Sequence, residues 1–155
     1  MRKLLAVLVA IPSLCGGITL AAAQTSHTPD QAKAFVEKAV AFYKTEGREK
    51  ALAAFSDPKG QWVDGDLYLV VHANEPQLTM LAHVNKGLIG KPQIDVKDAD
   101  GRPFNQDMHA ALAKSNDAWV SYKWVNPGTK KIAVKKSYFV KLGDDVIIGA
   151  GAYEQ

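Results

Sequence analysis

Cysteine is almost absent from this chain. The one example among 155 residues is Cys15, inside an N-terminal segment expected to be removed. Without it there is no thiol, which excludes disulfides, thiolate-bound zinc, iron–sulfur clusters and a cysteine nucleophile. Net charge is nearly absent as well. The whole chain carries a formal +3, from 19 Lys+Arg and 16 Asp+Glu. Arg2 and Lys3 lie in the same N-terminal segment, so the remainder has 17 bases against 16 acids, or +1. That balance lacks the basic footprint of a nucleic-acid binder. After Ala23 no uncharged run is long enough to span a bilayer. Catalytic and metal signatures are missing too. The chain has no Gly-x-Ser-x-Gly, no His-Glu-x-x-His and no phosphate-binding glycine loop. His27, His72, His83 and His109 show no paired metal spacing. An enzyme would need an unrecognised dyad, so the expectation is a non-enzyme with no cofactor.

The first 23 residues read as a secretory signal. Met1-Arg2-Lys3 is a basic start, and Leu4 to Ala23 carries no charge. Ala21 and Ala23 supply the small residues a signal peptidase reads, so the mature chain is expected to begin at Gln24. An uncleaved anchor is the alternative, and Pro12, Gly16 and Gly17 argue against it by interrupting the run. Leu14 before Cys15 is too bulky for a lipobox. The expected division is therefore a signal peptide over 1–23 and one domain over 24–155, exported to a bacterial periplasm. With 47% hydrophobic residues, that domain has enough apolar material for a core.

Hydrophobic period divides the domain. Thr28-Pro29-Asp30-Gln31 combines a cap, a proline suited to the first helical position and the Gln of a capping box. Ala32, Phe35, Val36, Ala39, Val40 and Tyr43 then recur at helical spacing. Gly47 punctuates, and Arg48 to Phe55 resumes the pattern. Beyond the turn Ser56–Gly60 the period becomes two. Strands are expected over 67–73, 78–84, 118–125, 132–142 and 146–152, with a short helix over 104–115. Residues 85–102 read as a long loop, which in a compact domain is usually functional. Short connections favour an antiparallel sheet. The expected fold is α+β: a long N-terminal helix on one face of a five- to six-stranded sheet, and the insertion from Asn85 to Ser115 on part of the other, with a pocket beneath it.

Several runs then fall into a familiar order. They are Leu67-Tyr68, Ala82-His83, Gly90-Lys91, Lys97-Asp98-Ala99-Asp100-Gly101, Trp119 to Trp124, Lys136-Ser137-Tyr138 and Gly149 to Tyr153. Taken together, the chain resembles the single Cache domain family, the extracytoplasmic PAS-like sensor module of bacterial chemoreceptors and histidine kinases. The resemblance covers roughly Asp30 to Tyr153. It is closest to the stand-alone exported subgroup, because no signalling segment follows Tyr153, and it departs at Val84, where receptor members often have proline. It implies a small organic acid as ligand and a membrane receptor, histidine kinase or transporter as partner. An accessory protein that binds such a partner through its surface, with no ligand, is the alternative.

The candidate ligand residues are Tyr68, His83, Tyr122, Trp124, Lys136 and Tyr138. Along 132–142, alternation puts Val134, Lys136, Tyr138, Val140 and Leu142 on one face, and Ala133, Lys135, Ser137, Phe139 and Lys141 on the other. Lys136 thus interrupts an otherwise apolar face, where an ammonium needs an acid or a bound anion as partner. An internal salt bridge or a lysine reaching out to solvent would meet the same need. The resemblance implies that this lysine meets the ligand carboxylate and that Tyr68 and His83 reach the pocket. Tyr122 and Trp124 share a face and can wall a pocket or pack as core. Trp62 could close one end. The Asp98–Asp107 run resembles a calcium loop only in part, with Val96 and Asp107 where that loop needs other acids, so it reads as a polar turn.

Overall fold

A computed structural model describes residues 26–154. The expected signal peptide lies outside them. Helix α1 runs from Pro29 to Glu46. Its start is the capping box: the Gln31 N–H donates to Thr28 Oγ1 at 3.2 Å, and the Thr28 N–H donates to Gln31 Oε1 at 2.8 Å. Ala32, Val36, Ala39 and Tyr43 form its buried stripe. At Gly47 the backbone takes φ +82°, open to glycine at no cost, and the chain turns into α2, Arg48–Phe55.

Strands β1 (Val63–Asp64) and β2 (Leu67–Tyr68) form a small separate hairpin. The strand expected over 67–73 is therefore two pieces, with β3 beginning at Val70 and ending at Ala73. The main sheet adds β4 (Met80–His83), β5 (Asp117–Val125), β6 (Ile132–Leu142) and β7 (Val146–Tyr153). Its order is β4-β3-β7-β6-β5, antiparallel throughout.

The two faces are covered differently. Helix α1 lies on β6 and β7 and seals a core that includes Val36, Phe55, Leu69, Val71, Ile148 and Tyr138. Trp62 sits inside this core, with ring centroids 5.0–5.5 Å from Phe35, Phe42 and Phe55. It closes no pocket, because the helices rather than the insertion pack around it. The opposite face is covered by residues 85–115, as expected from the sequence. They form a short 3-10 turn at Lys86–Leu88 and helix α3, Phe104–Leu112, which packs on β5. Between these, the loop runs beside the edge strand β4. Met80 N–H donates to the Lys91 carbonyl at 3.0 Å, and Gly90 N–H returns to the Met80 carbonyl at 2.8 Å. The Asp98 carboxylate accepts from the N–H groups of Asp100, Arg102 and Lys123 at 2.9–3.1 Å, which pins the loop to β5. These bonds make the segment the polar turn expected and hold the Asp98 carboxyl below its ordinary range.

Candidate functional site

A cavity of about 50 Å³ lies between the insertion and the sheet. One water needs roughly 10–15 Å³ measured this way, so the space fits a molecule of a few heavy atoms. Tyr68 comes from β2, Val70 and His72 from β3, Met80 and His83 from β4, Tyr122 and Trp124 from β5, and Lys135 and Phe139 from β6. The insertion contributes Leu88, Gln93, Val96, Phe104 and Asn105.

Room for the cavity originates in β7. Gly149 lies opposite Phe139 and Gly151 opposite Ser137. A Cβ on Gly149 would sit 2.2 Å from the Phe139 ring, and one on Gly151 would sit 2.0 Å from Ser137 Oγ and 2.9 Å from Lys135 Cε. The Gly-x-Gly spacing puts both missing side chains on one face, and the large residues of β6 occupy the vacated space. Aromatic packing shapes the wall. Phe104 stacks on Tyr122 at 3.9 Å and meets Trp124 edge-on at 5.6 Å, and Tyr68 meets the His83 ring edge-on at 5.3 Å.

Lys135 is the charged residue of this wall, and it is 2% exposed. Its Nζ lies 3.9 Å from the Tyr68 ring centroid and 5.0 Å from that of Tyr153. Among the described residues no carboxylate comes within ion-pair distance of it. Asp66 favours the charge from farther off, but its oxygens are engaged by His27 Nδ1 at 2.8 Å and Asn126 Nδ2 at 3.4 Å. Burial opposes the ammonium, the phenolic oxygens of Tyr68 and Tyr122 favour it, and the balance keeps it above its ordinary value. Burial also raises the Tyr68 phenol, but Lys135 outweighs that effect and lowers it. His83 is pushed down to about 4 by burial and by Lys135, and His72 to about 4 by burial and by His83. At neutral pH both imidazoles and the Tyr122 phenol are uncharged while Lys135 is a cation, electrostatics that suit an anion.

Two polar atoms in the wall have no partner among the described residues. One is His72 Nδ1 and the other Asn105 Oδ1, on side chains 3% exposed each. Most buried polar atoms in folded proteins find a partner, and the other orphan among the described residues, Trp62 Nε1, lies apart from this cavity in the helix-side core.

Four of the six candidate residues, Tyr68, His83, Tyr122 and Trp124, line this cavity. Lys136 and Tyr138 do not. Their face of β6 turns toward α1, where Tyr138 is buried in the helix-side core and donates its hydroxyl to Asp117 Oδ2 at 2.8 Å. Lys136 is half-buried, with Nζ 5.2 Å from the Trp119 ring. The lysine that lines the cavity is Lys135, one residue along the strand from Lys136, and that single step inverts the face. Counting apolar neighbours selects the face that a helix covers, whereas the cavity lies on the more polar one. The Gly149 and Gly151 pair opposite Phe139 and Ser137 was the signal that could have found it. Gln93 carried no comparable signal, since it lies in the loop read over 85–102, and Asn105 is one polar residue on the first turn of a short helix.

Known proteins can now be set beside this geometry. The model of the family described as Single Cache domain 2 matches residues 20–155. The chain belongs to that family. Among solved structures, this Cache domain is similar to a methyl-accepting chemotaxis protein from Vibrio parahaemolyticus, with TM-score 0.65 and 21% identity over 80% of this chain and 86% of that one. It is also similar to the Cache chemosensory domain whose structure is described as the basis for carboxylic acid recognition. There the TM-score is 0.60 and the identity 24%, over 81% of this chain and 88% of that one. A periplasmic sensor domain of a chemotaxis protein matches with TM-score 0.60 and 22% identity, over 81% and 90%. At these identities the likeness is one of fold. No curated protein matches the chain.

Proposed function

We propose that this Cache domain is an exported sensing module that binds a small organic acid in the cavity under the insertion. Lys135 neutralises the carboxylate, and the Tyr68 hydroxyl and His83 supply hydrogen bonds that orient it. Tyr122 and Trp124 wall the apolar part of the ligand. The observation that carries this reading is Lys135, a cation 2% exposed on a cavity wall with no carboxylate among the described residues within ion-pair distance. Phenols surround the Lys135 ammonium without a carboxylate beside it, and a bound anion would supply that counter-charge. The family's sensory role and a fold neighbour described for carboxylic acid recognition support the same ligand class. Location outside the cytoplasm agrees with the basic, then uncharged, first 23 residues and with the periplasmic sensor among the fold neighbours. A membrane receptor, histidine kinase or transporter is the expected partner, and no chemistry on the ligand is proposed.

A thermal-shift series with acetate, propionate and longer monocarboxylates tests the proposal. The melting temperature is expected to rise with ligand concentration, because only the folded state binds. Lys135→Met keeps most of the stem and removes the charge. It is expected to abolish the shift in the protein that stays folded. No shift with any short acid, or an undiminished shift in Lys135→Met, would sink the assignment.

A further inference from the structure

The tip of the β5–β6 hairpin has no part in the cavity and combines bare aliphatics with free cations. Among the described residues four large apolar side chains are exposed, Ile89, Trp119, Val125 and Ile132. Val125 and Ile132 are the most open of these, at 50% and 60%. They are register partners at the end of the hairpin, so they stand side by side on one face of the sheet. Helix α1 packs on β6 and β7 and leaves this pair uncovered. Lys130 and Lys131 are exposed in the turn between them, and neither forms an ion pair among the described residues. The turn is firmly held. Asn126 Oδ1 accepts from the N–H groups of Gly128 at 2.8 Å and Thr129 at 3.2 Å, and the Lys130 N–H donates to the Asn126 carbonyl at 2.8 Å. The Tyr153 hydroxyl donates to the Val125 carbonyl at 3.0 Å. Little backbone ordering is left to be done on contact.

The place of the tip in the chain narrows what covers it. Asn126 Nδ2 donates to one Asp66 oxygen at 3.4 Å, and His27 Nδ1 meets the other at 2.8 Å. The segment leading into α1 is thus tied to the base of the hairpin. The uncharged run ends at Ala23, four residues before His27. Four residues reach about 14 Å when fully extended. While that run lies in a bilayer, the hairpin base stays close to the bilayer surface. We propose that the tip docks on a bilayer surface carrying anionic lipid, with Val125 and Ile132 entering the headgroup boundary and Lys130 and Lys131 meeting the lipid phosphates. Apolar burial and attraction to anionic headgroups add at such a surface. Most acids of the adjoining segments are answered within the protein. Asp66 is buried, Asp64 is engaged by His27 Nε2 at 3.1 Å, and Asp100 pairs with Lys123 at 2.9 Å. Glu154, which follows β7, is exposed and moderates the attraction. The docking is independent of the cavity and its ligand.

Cosedimentation of the chain from Gln24 with lipid vesicles tests it. Both cores lie within residues 26–154, so that chain is the folding unit. Vesicles of phosphatidylcholine alone are compared with an equal mixture of phosphatidylcholine and phosphatidylglycerol, at low and at high salt. At low salt the wild-type protein is expected to bind the mixed vesicles roughly tenfold more tightly or better, and high salt is expected to remove most of that preference. Lys130→Gln combined with Lys131→Gln should weaken the binding roughly tenfold or more, at about fivefold per cation near an anionic surface. Val125→Ser combined with Ile132→Ser should weaken it roughly tenfold through lost apolar burial. Trp119 lies six residues back along β5, about 20 Å from Val125, so Trp119→Ser should leave the binding unchanged. No binding to the mixed vesicles, equal binding to both compositions, or binding that the tip variants leave intact would overturn the proposal. A loss in Trp119→Ser as large as in the tip variants would overturn it by moving the contact off the tip. A lipid-free dimer that Val125→Ser with Ile132→Ser dissociates in ultracentrifugation would replace the membrane by a second copy of the chain. The wild-type comparison of lipid and salt decides the matter even if a variant does not fold, and none of these outcomes bears on the carboxylate reading.

Discussion

One strand of this protein faces two different solvents. Toward α1, Tyr138, Val140 and Leu142 of β6 join a core with Phe55, Trp62, Ile148 and Ala152. The Tyr138 hydroxyl has Asp117, and Lys136 lies over Trp119. Toward the insertion, the odd positions meet a space that protein atoms leave partly unfilled, lined by Lys135 and two orphaned polar atoms. The helix face has spent most of its hydrogen-bonding capacity on folding, with Trp62 Nε1 its one unpartnered polar atom among the described buried side chains. The insertion face has kept more in reserve, the capacity that the proposed ligand would use. On the proposed reading, stability and recognition are divided between the sides of a single sheet, and perturbing either side tests the division.

The largest effect is expected on the helix side. Phe55 is fully buried and meets Trp62 edge-on at 5.0 Å. Phe55→Ala should cost about 3–5 kcal/mol, the range for truncating a buried aromatic. Denaturant midpoints measure the loss. Acid affinity of the folded fraction should stay unchanged, and a parallel fall in affinity would show that the faces are not separable.

Acid should act mainly on the cavity side. His72 and His83 titrate near 4 in the folded protein and near 6.5 when unfolded, so between those values the unfolded chain binds more protons. Their stabilisation is complete above about pH 6.5 and is lost as the pH falls toward 4. For fully buried His72 the loss is about 3 kcal/mol at the acid end, and for partly exposed His83 it is less. His27 has the opposite sign. Burial lowers it, but Asp66 and Asp64 outweigh burial and raise it, so its contribution is present at low pH and lost as pH rises through its folded value. Melting temperature against pH, compared between wild type and His72→Phe, isolates the cavity term. Parallel curves would break the assignment.

The division between the faces was only half visible in the sequence. Period-two alternation located β6 to the residue, 132–142, and the capping box located the start of α1. Both are local signals, carried by contacts between near neighbours. Which face of β6 lines a cavity is decided by what packs on it, and that depends on α1 and on residues 85–115, far away in the chain. Four wall residues were legible because aromatics and a histidine stand out among aliphatic strand residues. Lys135 and Lys136 are adjacent and identical in type, so composition alone does not separate them. Asn105 becomes informative only once its amide is seen to bond Gln93 across the loop.

Filling the reserve should trade recognition for little else. Gly149→Ala sets a Cβ 2.2 Å from the ring of Phe139, which is 1% exposed and has nowhere to go but the cavity. The overpacking should cost about 1–3 kcal/mol. Short-acid thermal shifts should disappear even where the variant stays folded. A folded Gly149→Ala protein with wild-type affinity would mean that the acid sits elsewhere.

The smallest expected effect belongs to the residue one step along the strand from Lys135. Lys136 is half-buried, and its one described partner is the ring of Trp119, itself 39% exposed. A cation over an exposed ring is worth about 0.5–1 kcal/mol. Lys136→Met keeps the stem against Trp119 and gives up that term, so the melting temperature should move by a few degrees at most. Its charge lies on the helix side of a sheet one residue thick, and the cavity is on the other side. Affinity for propionate should therefore stay within about twofold of wild type, while Lys135→Met loses it. Two lysines that differ by one position then report the two faces separately. If the outcome were reversed, with Lys136→Met losing the acid and Lys135→Met keeping it, the binding face would be the one under α1 and the cavity would have no part in recognition.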